Sequence, residues 1–288
     1  MSSRRRRKLA LLVSLAGIAL LSFAASWYGS DLARWYEFVC LFERLGSKPQ
    51  GFSEYRHRQT GIVMVRIPGG SFAMGSPESE EESWSNERPR HRPQLKPFLL
   101  AKYELSQAEW LRLMGTNPSA FKADKRPVEN LSWYDCQDFN ERTGLSFPSE
   151  AQWERACRGG TDTPFAFGET ITPEQVNYNG AFPYGDAPKG ADRRRTVAAD
   201  SFRPNDSGLF NMHGNVSEWC EDVYDEDFYR RSSSMPHDPV CTTGSGNRVV
   251  RGGSWSDRAR YCRSAARSWN DPGYRGKDLG YRPAFHLP

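Results

Sequence analysis

The C-terminal half of the chain carries almost no helical periodicity, and this limits the folds open to it. From Gly160 to the end of the 288-residue sequence, short apolar segments alternate with Gly, Asn, Asp and Pro. This pattern is typical of long loops with a few short strands rather than of helices. Loops of this length are uncommon in compact domains, so additional restraints are needed. Bound ions and disulfides are the restraints that we expect.

Three helices are predicted ahead of this loop-rich region. They cover residues 107–114, 133–143 and 149–158. The first two follow a serine suited to capping, Ser106 or Ser132, the third begins at Ser149, and each is followed by glycine. Short strands are predicted at 62–67 and 71–75, on either side of a Pro-Gly-Gly turn. The sequence thus predicts an α+β fold.

A charged segment follows the second strand, at residues 76–93. Its sequence, SPESEEESWSNERPRHRP, combines acidic residues with arginine and proline. Segments of this composition are usually solvated, so we expect a surface loop whose acidic half faces water. Calcium binding by the acidic half is the minor alternative.

The N-terminus indicates where the chain resides. The basic residues of segment 1–8 are followed by an uncharged run at 9–28, which begins at Leu9 and ends at Tyr28. A run of this length can cross a bilayer as a helix, and its basic flank keeps the N-terminus in the cytoplasm. We therefore expect the rest of the chain in the periplasm, anchored to the inner membrane by the run. Cleavage of a signal peptide near Ala24-x-Ser26 is the alternative, although the length of the run favours an anchor.

Residues 29–60 are predicted to form a short helix and a linker ahead of a domain at 61–288. The helix is indicated by apolar residues at three- and four-residue spacing, namely Leu32, Trp35, Val39 and Phe42. Gly46 ends this pattern. Residues 46–59 are polar and contain Gly and Pro, which is typical of a linker.

Composition excludes two broad classes of protein. Aromatic residues make up 13% of the chain, which is enough for a packed core, so the chain as a whole is not intrinsically disordered. The net charge is +4, and five positive charges lie between Arg4 and Lys8. The remainder is close to neutral, so we expect no nucleic-acid partner.

Six cysteines in an exported chain predict disulfides. No Cys-x-x-Cys motif occurs and no histidine lies at zinc-finger spacing from a cysteine pair, so structural zinc is not expected. We expect Cys220 to pair with Cys241, which would close the loop that contains Pro236 and Pro239.

Several sequence blocks occur in an order shared with a known family. The blocks are PGGSFAMG from residue 68, YELSQAEW from 103, RPVENLSW from 126, FPSEAQWE from 147, CRGG from 157, GLFNMHGNV from 208, RGGSW from 251 and GYRP from 280. Together they resemble the formylglycine-generating enzyme, or sulfatase-modifying factor, family from about residue 61 to residue 286. The resemblance implies a single, loop-rich α+β domain with a core similar to that of C-type lectins.

The same resemblance argues against the best-known activity of the family, the oxidation of a sulfatase cysteine to formylglycine. That reaction uses copper held by two cysteines after the Gly-Gly-Ser-aromatic motif, and Cu(I) prefers thiolates. Asp257 stands at the first of these positions, and the second falls in a stretch that is shorter here. The resemblance also implies that Cys262 forms a structural disulfide with Cys157. We therefore expect neither bound copper nor copper-dependent formylglycine formation.

Two structural calcium sites are also implied by the resemblance. The first set of ligands, which suits a tight loop around a hard cation, is Asn211, Gly214, Val216 and Glu218. The second set, which matches the family less well, is Asn177, Tyr178, Asp192 and Arg194. The alternative is that Asn211 and Glu218 only form hydrogen bonds within their own loop.

Two functions from different classes fit these observations. The first is a periplasmic binding, regulatory or accessory protein, for example one linked to a secretion system, with a periplasmic protein or a small substrate as its partner. The second is an enzyme that matures a siderophore chromophore or a protein oxidatively, without copper thiolates. The residues that would line its groove, or form only a salt-linked rim, are Asp257, Arg258, Arg263, Arg267 and Trp269. A formylglycine-generating oxidase is a minor alternative, and the wide separation of the five histidines argues against a three-histidine iron site.

Overall fold

The structure, a computed structural model, describes residues 30–47 and 52–287. The predicted basic segment 1–8, the apolar run 9–28 and the cleavage site at Ala24-x-Ser26 lie outside the described residues. In the part of the chain that is described, no helix has both the length and the apolar character needed to cross a membrane.

The described residues fold into short helices and short strands. The helices are α1 (Ser30–Leu41), α2 (Gln107–Met114), α3 (Trp133–Thr143), α4 (Glu150–Arg158) and α5 (Phe228–Ser232). The strands are β1 (Phe42–Ser47), β2 (Ser53–His57), β3 (Val63–Ile67), β4 (Gly70–Ser71), β5 (Gln94–Leu95), β6 (Phe98–Ala101), β7 (Ser217–Val223), β8 (Arg248–Arg251), β9 (Ser268–Asn270), β10 (Leu279–Gly280) and β11 (Ala284–His286). Single 3₁₀ turns occur at Ser85–Glu87 and Ala259–Cys262. The predicted mixed α and β composition is confirmed.

The three helices predicted from capping signals are confirmed as α2, α3 and α4. The side chain of Ser106, Ser132 or Ser149 accepts a hydrogen bond from the backbone N–H three residues later. Because Ser149 is the cap, α4 starts one residue later than predicted. Each helix ends at a glycine in the left-handed conformation, which costs glycine no steric strain.

A five-stranded antiparallel sheet joins the start of the described chain to its end. The strand order is β1-β2-β3-β6-β11. The predicted short helix is found as α1, but its predicted end at Gly46 and the linker after it are wrong. The helix stops at Leu41 because the next residue, Phe42, is buried, packs 4.9 Å from the Phe285 ring and pairs with His57. Strands β1 and β2 therefore extend the domain upstream of its predicted start at Gly61.

A second sheet of four strands carries the segments nearest to the site described below. Its order is β10-β7-β8-β9, with β10 parallel to β7. Helix α4 packs against this sheet, and Trp153 is fully buried in a core that also contains Cys220 and Val249. The fold thus fixes the end of β8 against α4.

The loop-rich region is confirmed, since no helix or strand is found in the described structure between Gly159 and Val216. Buried amide side chains hold it in place. The Asn205 amide donates to the Ala156 and Cys157 carbonyls at the end of α4 and accepts the Ser207 and Leu209 N–H groups. These bonds give the loop backbone the partners that a helix or sheet would otherwise supply.

The prediction that residues 76–93 form a solvated surface loop is wrong for several of its side chains. Glu80 and Glu87 are buried and both pair with the fully buried Arg263. His91 is also buried and bonds to Ser232 Oγ over 2.9 Å. The acidic half of this segment therefore includes carboxylates that neutralise an interior arginine.

Candidate functional site

The RGGSW block forms a tight turn at the end of β8. Gly252 and Gly253 have φ values of 92° and 64°. A Cβ on Gly253 would lie 2.8 Å from Cys262 Sγ and 2.9 Å from the Tyr261 carbonyl oxygen. A Cβ on Gly252 would lie 3.0 Å from the Trp153 ring. Glycine is therefore required at both positions, and the turn fixes the segment where the resemblance places the metal-binding cysteines of the family.

Two serines and two aspartates form a hydrogen-bonded cluster directly after this turn. The Ser254 hydroxyl donates to Asp257 Oδ2 over 2.7 Å and lies 3.0 Å from Ser256 Oγ. The Ser256 hydroxyl donates to Asp278 Oδ2 over 3.1 Å. Burial raises the pKa of Asp257, and the nearby charge of Asp278 raises it further. The cluster therefore presents the exposed Ser256 hydroxyl, while the buried Ser254 hydroxyl holds a carboxyl group that binds a proton more readily than an ordinary aspartate.

Aromatic rings and arginines flank this cluster. The Phe182 carbonyl accepts the Ala259 N–H, and the Arg258 guanidinium lies 4.5 Å from the centre of the Phe182 ring. Phe182 and Tyr261 are 43% and 41% exposed. Trp255 donates its indole N–H to the Lys277 carbonyl over 3.2 Å. The Tyr261 ring centre lies 5.0 Å from that of Trp84. We call the accessible residues Phe182, Ser256, Asp257, Tyr261 and Asp278, together with the buried Ser254 and Trp255, the Asp257 surface.

Of the predicted groove residues, Asp257 and Arg258 lie on or beside this surface, but Arg263 and Arg267 do not. Arg263 is fully buried by its pairs with Glu80 and Glu87. Arg267 is buried as well, with its Nε 2.7 Å from the Glu150 carboxylate. These two arginines do not line a groove but are salt-linked, as the alternative for these residues predicted, because buried carboxylates occupy their guanidinium groups.

Trp269, the fifth predicted groove residue, lies on β9. It is 48% exposed and its ring centre is 5.9 Å from that of Tyr224. The structure thus gives it an aromatic neighbour that the sequence did not indicate.

Neither predicted disulfide is formed in the structure, where all six cysteines are free thiols. Cys157 Sγ lies 3.7 Å from both His213 Nε2 and Ser264 Oγ. Cys262 Sγ faces the Arg258 carbonyl at 3.9 Å. Burial raises the pKa of Cys157 to about 12 and that of Cys262 well above its usual value. Both groups therefore stay protonated near neutral pH, a form that binds copper poorly.

The second predicted pair, Cys220 and Cys241, is likewise unbonded. The Cys241 thiol donates to the Thr243 carbonyl over 3.1 Å. Its backbone N–H donates to Asp222 over 2.8 Å, and Cys220 is buried on β7. Local backbone partners hold Cys241 in place without a covalent link.

The first predicted set of calcium ligands does not fit a cation well. The Glu218 carboxylate accepts from Arg282 Nε at 3.0 Å and from the Trp153 indole at 2.7 Å. A guanidinium already neutralises this carboxylate, so a second cation would be repelled. The Asn211 amide group donates over 2.9 Å to Glu104, whose pKa burial raises to about 8. Both side chains are occupied by hydrogen bonds, but to residues outside their own loop, which the alternative for Asn211 and Glu218 did not predict.

The second set fits a hard cation better at one atom. Asn177 Oδ1 is buried and has no hydrogen-bond partner in the structure, while its Nδ2 donates to Asn215 and to the Arg195 carbonyl. An orphaned buried oxygen is the kind of ligand that Ca²⁺ prefers. Tyr178 is buried, and Asp192 accepts the backbone N–H of Arg194 over 3.1 Å. Asp192 also pairs with the exposed Arg194 guanidinium over 3.2 Å, so Asn177 offers an unpaired oxygen, whereas Asp192 would have to exchange this surface ion pair for calcium.

The histidines serve local structural roles in the described residues. His213 bonds to the Cys262 carbonyl over 2.7 Å and accepts the Ala166 N–H over 3.0 Å. Burial lowers the pKa of His213 to about 4, so it is neutral. Within 30–47 and 52–287, no three His, Cys, Asp or Glu side chains are grouped as a metal site would require.

Sequence reasoning missed three residues that the structure makes prominent. Ser254 and Asp278 complete the Asp257 cluster, and Glu104 accepts bonds from the amides of Asn211 and Asn215. Ser254 and Glu104 lie inside recognised sequence blocks, which was the available signal. Asp278 lies just before the last block, and only the fold brings it to Ser256.

Comparisons with known proteins show which family this chain resembles. A family model for the sulfatase-modifying factor enzyme 1-like domain matches residues 49–287. The formylglycine-generating enzyme of Streptomyces coelicolor is 30% identical over 280 aligned residues, which cover 76% of this chain and 88% of that enzyme. The serine/threonine-protein kinase pkn1 of Chlamydia pneumoniae is 29% identical over 251 residues, which cover 78% of this chain but 38% of the kinase.

A solved structure shares the fold. PvdO from Pseudomonas aeruginosa superposes with a TM-score of 0.70 at 26% identity, covering 84% of this chain and 100% of PvdO. The family model, the ordered sequence blocks and the shared fold therefore lead to one conclusion. The chain belongs to the family of sulfatase-modifying factor enzyme 1-like domains.

Proposed function

We propose that this chain is a periplasmic binding or accessory protein, anchored in the inner membrane by residues 9–28, that does not form formylglycine with copper. The basic and apolar N-terminal segments support export and anchoring. The family domain supplies the binding scaffold, because one fold commonly serves unrelated functions once its site has changed.

The composition of the Asp257 surface carries this proposal. Asp257 and the Ser254 and Ser256 hydroxyls occupy the segment where the copper thiolates of the family would lie. Oxygen ligands are a poor match for Cu(I). The nearest sulfur, Cys262, is a buried thiol with a raised pKa.

The similarity to a kinase supports a regulatory or accessory role. The matched segment makes up 38% of the chain of the serine/threonine-protein kinase pkn1, so a domain like this one accompanies other sequence in that protein. In our proposal the same scaffold recognises a partner here, and the exposed Phe182 and Tyr261 beside hydroxyl and carboxyl groups suit a peptide segment of a periplasmic protein.

Site-specific photocrosslinking in intact cells tests the proposal. A photoreactive amino acid replaces Tyr261 on the Asp257 surface, and the matched control replaces Tyr134, which is 57% exposed on α3. We expect one discrete protein adduct from position 261 and none from position 134. The absence of an adduct at 261, or the same adducts at both positions, would contradict a binding role for this surface.

The raised pKa of Asp257 favours a second candidate function, the oxidative maturation of a siderophore chromophore or a protein without copper thiolates. A carboxyl group with a raised pKa that accepts a hydrogen bond from Ser254 suits general acid–base chemistry. Operon context separates the candidates, since siderophore synthesis genes favour the enzyme and secretion genes the accessory protein. For the enzyme, Asp257→Asn would abolish maturation of the product while leaving the protein folded.

Structural calcium at Asn177 and Asp192 is part of the proposal. The orphaned Asn177 Oδ1 supports it. Calcium would restrain the loop-rich region rather than take part in chemistry.

A further inference from the structure

An arginine-lined cavity lies away from the Asp257 surface, between residues 76–90 and helix α5. It has a volume of about 470 Å³. Its lining includes Ser76, Glu78, Arg88, Arg90 and Arg230. The proposed function does not use this cavity.

The backbone around the cavity is firmly held. Met74 and His91 exchange two backbone hydrogen bonds of 2.8 and 3.0 Å, so the two chain segments run side by side. The His91 side chain points inward to Ser232. Glu87 is fixed by Arg263 in the interior. Arg88 and Arg90 are thus presented together by a rigid segment.

Three polar atoms on the lining residues have no partner in the structure. Ser76 is fully buried, and its hydroxyl has neither a donor nor an acceptor near it. Arg88 uses Nη2 to bond to Ser83, and Arg90 uses Nη2 to bond to Asp162, but the Nε atoms of both are buried and unpaired. Buried donors without acceptors are costly, so a ligand rich in acceptor atoms would stabilise this group of side chains.

The charge of the lining indicates the chemistry of that ligand. The lining holds three arginines and one carboxylate, Glu78, and Arg90 has a second acidic partner, Asp162, outside the lining. Arg230 is exposed in the last turn of α5, and among the described residues its guanidinium has no hydrogen-bond partner. Guanidinium groups bind phosphate and sulfate through paired, charge-assisted hydrogen bonds. The cavity is many times larger than the volume of about 30 Å³ that one water occupies, so it has room for more than a bare ion.

We propose that this cavity binds a phosphate or sulfate ester, with the oxyanion held by Arg88, Arg90 and Arg230. Ser76 supplies its hydroxyl as a further donor. The organic part of the ligand fills the remaining volume.

Calorimetric titration of the full chain with phenyl phosphate and phenyl sulfate tests this proposal. Titrations with inorganic phosphate and inorganic sulfate, at matched ionic strength, show whether the organic group of the ester contributes to binding. A titration with acetate shows whether any anion binds. We expect at least one ester to bind more tightly than its inorganic ion. Equal affinity for the esters and the free ions, or for acetate, would overturn the proposal.

Matched variants locate the binding. Arg230→Gln removes a cavity arginine, and Arg231→Gln makes the same charge change one residue later, where the arginine pairs with Asp225 instead. We expect Arg230→Gln to weaken ester binding about tenfold, as the loss of one charge-assisted hydrogen bond would, and Arg231→Gln to leave it unchanged. Ser76→Ala should also weaken binding without lowering the melting temperature of the free protein, since its hydroxyl has no partner there. Equal effects of the two arginine variants would show that only general electrostatics is at work.

Discussion

The capped helices and the loop-rich region of this protein are specified in different ways. In α2, α3 and α4 a serine directly before the helix sets its start and a glycine directly after it sets its end. Between Gly159 and Val216, by contrast, buried amides bond to residues far away in the sequence, as Asn215 does to Glu104. Local signals therefore define the helices, whereas the loops depend on tertiary contacts between polar groups.

Ion pairs also differ between the surface and the interior of the molecule. Exposed pairs such as Arg275 with Asp135 lie at the surface, whereas Arg263 joins two acidic residues of segment 76–93 in the interior. Buried ion pairs tie the loop-rich half of the molecule to the rest. If this account is right, stability is more sensitive to buried polar groups than to helix signals.

Removing the cation from the buried ion pairs of Arg263 should lower the stability of the fold the most. Arg263→Met leaves Glu80 and Glu87 buried without a cation, so we expect a loss of about 3–5 kcal/mol in the free energy of unfolding. Arg275→Met, in which the arginine side chain is 54% exposed, should cost at most about 1 kcal/mol. Urea unfolding of both variants measures the difference, and equal losses would remove the distinction between interior and surface pairs.

A buried amide should matter more than a helix cap. Asn215→Ala removes hydrogen bonds to Glu104, Asn177 and Val197, and we expect it to cost about 2–3 kcal/mol. Ser132→Ala removes the cap of α3 and should cost about 1 kcal/mol. Denaturant unfolding compares the two, and the account fails if the cap variant is the less stable one.

Asp222 gives the stability a pH dependence. It accepts the backbone N–H groups of Glu150 and Cys241, and burial, with a further contribution from the charge of Glu150, raises its pKa to about 7. The unfolded chain ionises this group near pH 4, so between about pH 4 and pH 7 the folded state binds more protons. The contribution of Asp222 to the free energy of unfolding is therefore largest below about pH 4 and is lost as the pH rises through 7.

The variant Asp222→Asn isolates that effect, because the histidines contribute equally to both proteins. We expect the stability of the wild type relative to the variant to fall by about 2 kcal/mol between pH 5 and pH 8. The check is urea unfolding of both proteins at several pH values. A difference that does not change with pH would mean that the carboxyl ionises normally.

Calcium should have the smallest effect. At a free calcium concentration ten times Kd, binding to the native state alone adds about 1.4 kcal/mol, which raises the melting temperature. Asn177→Ala should abolish the increase because it removes the orphaned oxygen. Thermal melts with calcium and with a chelator measure the change in melting temperature. The same increase in the variant as in the wild type would exclude Asn177 as a ligand.

The parts of the fold that local patterns control were predictable, and the parts that long-range contacts control were not. Ser106, Ser132 and Ser149 marked the helices correctly because capping acts within three residues. The strand at Phe42 was missed because its burial depends on Phe285, at the other end of the chain. The interior position of Arg263 could not be seen because its carboxylate partners lie in a segment that looked solvated. Asp257 was identified from the aligned motif, but its cluster depends on Asp278, which only the fold brings close.

The central claim is that the thiolate chemistry of the family is absent from this chain. The most direct measurement is to incubate the full purified chain with Cu(I), oxygen and a sulfatase-derived cysteine peptide, and to follow formylglycine by mass spectrometry. The formylglycine-generating enzyme of Streptomyces coelicolor is the positive control and Cys262→Ser the matched variant. We expect no conversion by either the wild type or the variant. Copper-dependent conversion by the wild type that Cys262→Ser abolishes would contradict the claim.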